Sequence, residues 1–196
     1  MRRWNAVISG LILILFLVHA IAGGYQLLGI IPGGQTTLEY LAWAMAALIA
    51  VHLVLGCILT AQTLRSCKKA GVSYFRENQL FWIRRISGFV ILLLIAYHIA
   101  VFWATGTSPF RLHDFGGVEL AGSLLLIAAL VLHVLCNIRP LVIALGAAVT
   151  GKLWKDLLVV LAAVLLFCTL SFLFYYFRWN LLWNAETLWK WNSLWQ

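Results

Sequence analysis

Residues 83–104 read IRRISGFVILLLIAYHIAVFWA, and the reading of this stretch decides the fold. Two arginines, Arg84 and Arg85, stand at one end, an unbroken apolar run follows, and a histidine, His98, sits deep inside it. About 20 apolar residues are enough for a helix to cross the hydrocarbon of a bilayer. The pattern recurs: roughly residues 5–31, 38–62, 117–138 and 153–177 are also apolar stretches of spanning length. Together the five use most of the 196 residues, of which 64% are hydrophobic and 10% charged, against about 45–50% apolar in a soluble domain. The chain reads as all-α, a polytopic membrane protein of five transmembrane helices, with no room for a globular domain in water.

The net charge of +8 raises the question of nucleic acid, and its distribution answers it. Arg2 and Arg3 precede the first span; Arg65, Lys68, Lys69, Arg76, Arg84 and Arg85 lie between the second and third; Arg139, Lys152 and Lys155 lie between the fourth and fifth. Only Arg111, Arg178 and Lys190 fall on the other side. Such a bias predicts a cytoplasmic N-terminus and an outer C-terminus, with no nucleic acid among its partners. A secondary use for the basic face is docking an acidic partner or anionic lipid.

Between the spans, Pro32-Gly33-Gly34 marks a tight outer turn, residues 63–82 the longest inner loop and residues 105–116 an outer loop. A short inner connection is expected around Asn137-Ile138-Arg139-Pro140. The first span carries signal-peptide features, Met-Arg-Arg and then Ala20-Ile21-Ala22, yet its apolar run continues through Ile31, so it reads as a retained helix. The last 18 residues differ in kind: Trp179, Trp183, Trp189, Trp191 and Trp195 are half of the ten tryptophans. Tryptophan prefers the membrane–water boundary, which divides the chain into a transmembrane domain, 1–178, and an outer-surface interfacial tail, 179–196.

Four histidines carry the chemistry: His19, His52, His98 and His133, one in each of the first four spans. A polar, ionisable ring in hydrocarbon is costly and by default marks function. Spans one and three run outward, so at 1.5 Å per residue His19 and His98 both lie about 21 Å from the inner surface. Spans two and four run inward, which puts His52 and His133 only about 6–9 Å from it in a core of about 30 Å. The depths pair His19 with His98 near the outer leaflet and His52 with His133 near the inner, the two levels about 12–15 Å apart. Two imidazoles on facing helices are an axial ligand set for haem iron. Cys57, Cys67, Cys136 and Cys168 form no C-x-x-C-H motif, so the expected cofactors are two haem b rather than covalently attached haem. Haem propionates need cations, for which Arg84, Arg85 and Arg65 are inner candidates and Arg111 an outer one. Gly10, Gly23, Gly24, Gly56, Gly88 and Gly122 serve either porphyrin approach or helix packing. The first four spans are thus expected to form a di-haem four-helix bundle, with the histidine-free fifth span peripheral.

A weak internal repeat supports two equivalent helix pairs. Arg2-Arg3, Ile8-Ser9-Gly10 and His19 echo Arg84-Arg85, Ile86-Ser87-Gly88 and His98, and the next histidine follows 33 and 35 residues later.

Asn78-Gln79-Leu80-Phe81-Trp82-Ile83-Arg84-Arg85-Ile86-Ser87-Gly88 followed by His98 resembles the start of the third helix in the cytochrome b subunit of succinate dehydrogenase and fumarate reductase, of the two-haem, five-helix, single-chain type. Arg3 to His19, Tyr74-Phe75-Arg76, His52 with Gly56, and His133 extend the likeness loosely over nearly the whole chain. The resemblance implies haem ligation by the first helix with the third and the second with the fourth. It also implies a cytoplasmic flavoprotein and iron–sulfur subunit as partners, docked on the basic loop 63–85, and a membrane quinone such as menaquinone as substrate. Dicarboxylate chemistry would then lie wholly outside this chain. Some two-haem relatives carry a glutamate two residues before the fourth-helix histidine, where this chain has Val131. Its acids Glu39, Asp114 and Glu119, with His113, sit near the outer boundary as candidates for quinone protonation. A haem b anchor of a hydrogenase or formate dehydrogenase is the alternative, for which two ligands on one helix are expected. A haem-free histidine-relay transporter is a third, for which acids among the histidines are expected. The direction of the reaction and a dimer of complexes stay open.

Overall fold

The computed structural model describes residues 1–71, 78–103, 115–146 and 153–183, with side chains to 180. Tyr74, Phe75, Arg76, Arg111, His113, Asp114, Lys152 and residues 184–196 lie outside these. Five helices follow one another: α1 (Arg2–Leu27), α2 (Thr36–Lys69), α3 (Gln79–Trp103), α4 (Gly117–Ala144) and α5 (Leu153–Phe177), and α5 runs on into a π-helical stretch, Arg178–Trp183. Each is long and apolar enough to cross a membrane, and all regular structure among the described residues is helical.

The helices alternate in direction. At one end, Gln62 Nε2 reaches Met1 Sδ at 3.9 Å and Arg84 meets the carbonyl of Cys136 at 2.9 Å. At the other end the rings of Trp43 and Trp103 are 5.3 Å apart, and Asn180 donates to the Phe115 carbonyl at 3.0 Å. All described basic residues except Arg178 belong to the first of these ends.

Local chemistry sets the helix boundaries, and several lie away from the expected ones, α3 beginning at Gln79 inside the expected loop. α1 ends at Leu27 although its apolar run continues to Ile31, because Gly29 takes a left-handed φ of 76°. The amides of Gly29 and Ile30 then close on the carbonyls of Gln26 and Tyr25, each at 3.0 Å, a glycine-terminated cap. α2 does not stop at residue 62: its 34 residues make a rod of about 51 Å, longer than the hydrocarbon core of about 30 Å. Lys68 and Lys69 ride on its last turn, where cations favour the helix C-terminus, so the inner loop is shorter than expected. α4, too, continues past the expected connection, through Pro140 to Ala144. Proline has no N–H for the carbonyl four residues back, here Cys136, and Arg84 Nε donates to that carbonyl at 2.9 Å.

α1 packs on α2, α4 and α5, and α4 packs on α3 and α5. The expected peripheral placement of the fifth span is corrected by this: α5 is wedged against α1 and α4, burying Leu161, Leu165, Ser171, Phe172 and Tyr175. A helix apolar on every face hides which face is packed, so the missing histidine misled. Its far end builds a buried hydrophobic core, where Phe115 is fully buried and stacks on Phe172 at 6.2 Å. Trp179 packs against the same cluster, directly continuous with α5.

Candidate functional site

α1 does not pack closely on α3, nor α2 on α4. The space between these diagonal pairs is a cavity of about 1160 Å³ lined by His19, His52, His98 and His133. Sites for single small molecules run to about 300–1,000 Å³, so this one exceeds the needs of a single small ligand. It extends along the bundle from Asn5 and Leu64 near the basic end to Phe102 and Tyr175 near the other.

The histidines occupy two levels. His19 on α1 and His98 on α3 face one another with ring centres 6.1 Å apart and planes at 80°. A metal–imidazole nitrogen bond of about 2.0–2.1 Å puts a ring centre about 3 Å from the metal, and two rings on opposite sides about 6 Å apart. The observed separation has room for one metal held from both sides. His98 leans on Phe102, 5.0 Å between centres, and its Nδ1 is buried with no hydrogen-bond partner. A buried ring nitrogen left unpaired in an apolar interior marks a side chain kept for something other than packing.

The second level is marked by serines. Ser9 Oγ lies 3.1 Å from His52 Nδ1, and Ser87 Oγ lies 2.9 Å from His133 Nδ1. His52 and His133 are within electrostatic reach of one another. Ten residues separate Ser9 from His19 along α1 and eleven separate Ser87 from His98 along α3, which sets the two levels about 15–17 Å apart. The residues of the Ile-Ser-Gly repeat therefore stand beside the lower histidines, a role that sequence reasoning did not assign. The repeat itself was the available signal.

The two expected arginines behave differently. Arg85 lines the cavity, within electrostatic reach of both His52 and His133. Its guanidinium lies 5.0 Å from the centre of the Phe81 ring, and its Nη1 is 3.7 Å from the place a Cβ on Gly56 would take. Arg84 also lines the cavity, but its Nε serves the Cys136 carbonyl. Arg65 is exposed and lies outside the cavity lining. Glu119 is held at the start of α4, where its Oε2 accepts from the Gly116 amide at 2.9 Å, and Glu39 is exposed on the first turn of α2. Arg111, His113 and Asp114 lie outside the described residues.

The glycines divide by use. Gly24 is filled against by Phe167 and Gly122 by Tyr97, which is helix packing. A Cβ on Gly88 would come within 3.4 Å of His133 Cε1, so that glycine lets the ring lie against α3. Gly23 faces the cavity with nothing within 4 Å, a surface open to a flat ligand. Among the described residues no three of His, Cys, Asp and Glu gather around one point; the histidines come as pairs, the donor set of a group that brings its own equatorial ligands. Residues and haem are therefore compatible: His19 with His98 would hold one and His52 with His133 the other, with Arg85 as the cation at the lower level. Comparison with protein families, with curated proteins and with solved structures returned no match.

Proposed function

We propose that this chain is the di-haem cytochrome b subunit that anchors a succinate:quinone oxidoreductase, working as a succinate dehydrogenase or a quinol:fumarate reductase. It carries electrons between an iron–sulfur partner and quinone in the membrane. Histidines at two levels of one cavity, paired across the diagonals of the bundle, carry this reading. Haem b, when bound, exchanges single electrons at its iron. The chain's own residues supply the rest. The four imidazoles fix position and orientation, Arg85 offers a positive charge to acidic substituents, and the apolar lining from Ile12, Leu13, Phe16 and Leu130 keeps water out. The basic end, with Arg2, Arg3, Lys68 and Lys69, is the surface offered to a flavoprotein and iron–sulfur pair in the cytoplasm, and the inner membrane of a prokaryote is the site of assembly.

The purified protein should show reduced b-type absorption bands with two haems per chain, and a flavin-containing protein should co-purify with it. Absence of the bands would sink the reading and favour the histidine relay. Haem with a hydrogenase or formate dehydrogenase as the co-purifying partner would favour the other anchor class. Among the described residues each helix contributes at most one histidine, which speaks for the succinate-linked arrangement.

A further inference from the structure

The lower histidines differ from His98 in one respect: each has its Nδ1 engaged by a serine from the helix that precedes it in the chain. We propose that Ser9 and Ser87 are positioning residues that lock His52 and His133 as the Nδ1–H tautomer, leaving each Nε2 lone pair free for a metal. The purpose of this lock rests on the di-haem reading; its chemistry does not.

A serine hydroxyl has one proton to give. Ser9 Oγ lies 2.8 Å from the carbonyl oxygen of Asn5, an ordinary O–H···O separation, and two oxygens that close with no proton between them repel. The proton belongs on that bond, the back-bond of a serine within a helix. Toward His52, 3.1 Å away, Ser9 then offers only a lone pair, and the ring must donate. A neutral imidazole carries one N–H, so donation from Nδ1 leaves Nε2 bare. Ser87 stands likewise 2.9 Å from His133 Nδ1. Its hydroxyl is 3.3 Å from the Arg84 carbonyl, longer than an ordinary O–H···O bond. There the ring's donation rests on the likeness to Ser9 and on the backbone hydrogen bond that the His133 ring makes at Arg84. The neighbouring Gly88 leaves room for the ring. Two copies of one bond, on helices that repeat one motif, set ring orientation at the lower level by a means His98 lacks.

A ligand imidazole that gives its far N–H to an acceptor is the stronger base toward its metal and favours the oxidised state. Protein labelled with ¹⁵N-histidine and prepared without haem should show His52 and His133 as Nδ1–H in nitrogen–proton correlation spectra, the signals assigned through His52→Gln and His133→Gln. Ser9→Ala should release His52 to a mixture of tautomers, and Ser9→Thr should hold it. A wild-type His52 in the Nε2–H form, or one indifferent to Ser9→Ala, would overturn the proposal. In haem-loaded protein, Ser9→Ala should raise one of the two midpoint potentials and leave the other in place, with Ser9→Thr restoring it. Equal movement of both potentials, or of neither, would overturn it as well. The expected tautomers in a protein that takes up no haem would uphold the serine bonds and defeat only the di-haem reading.

Discussion

At the residue scale, Arg84 shows how a side chain that lines the cavity can also serve the backbone of a neighbouring helix. Pro140 strips the Cys136 carbonyl of its helical donor, and in hydrocarbon an unsatisfied backbone group is expensive. Arg84 Nε fills the gap from the neighbouring helix. The two residues should therefore be coupled. Arg84→Ala should destabilise the protein by about 1–2 kcal/mol while Pro140 is present. In a Pro140→Ala background, where the helix supplies its own N–H, the loss should largely vanish. Unfolding in detergent across this double-mutant cycle measures the coupling, and additive losses would refute it. The histidines lend themselves to a simpler count. Replacing His19 or His98 by alanine should halve the haem bound per chain, read by extraction and absorbance, and His52→Ala or His133→Ala should remove the other half. Loss of both haems from every variant would argue against two independent levels.

At the scale of elements, α2 stands apart. It buries no residue of its own, and its packing within the bundle is against α1. What lies opposite it is the cavity, with His52 and Gly56 on the lining face. A helix so placed takes its second wall from the ligand, and a ligand bound to the folded state stabilises what it touches. Removing haem should therefore raise amide exchange in the middle of α2 well above that of α5, whose Leu161 and Ser171 are each 1% exposed. Hydrogen exchange with and without haem tests this, and an α2 no faster than α5 would count against it. The same contrast explains what the sequence could reveal. Five apolar runs declare five helices, since nothing but length and polarity is involved. The ends of α1 and α4 depended on the conformation of Gly29 and on a side chain 52 residues away from Cys136, which periodicity does not encode. The packed place of α5 was hidden because every face of it is apolar. The approach of His19 to His98 was legible because the rise per residue is fixed, so equal distances along α1 and α3 bring the two rings level. The serine bonds were not, because they depend on how α1 is rotated against α2 and α3 against α4.

At the scale of the whole molecule, the sidedness of charge and the two levels of histidine belong to one arrangement. Arg2, Arg3, Arg65, Lys68, Lys69, Arg139 and Lys155 mark one end, and His52 and His133 lie nearer to it than His19 and His98. Positive charge retained on the cytoplasmic side would put the lower pair beside an iron–sulfur partner and the upper pair toward the opposite face. On the proposed reading, a step of about 15–17 Å between the levels would carry electrons across about half of a hydrocarbon core of about 30 Å. The orientation is open to direct test. A green fluorescent protein fused ahead of Met1 should fluoresce in cells, because it stays in the cytoplasm, whereas alkaline phosphatase joined after Trp179 should be active only because it has been exported. Exchanging Lys68 and Lys69 for glutamine, together with Arg2 and Arg3, should weaken this bias and should also weaken the hold on a soluble partner, with release at lower salt than from the wild type. An exported N-terminus would place the upper histidines, not the lower, beside the partner subunits, and the assignment of the basic end as the docking face would fall with it.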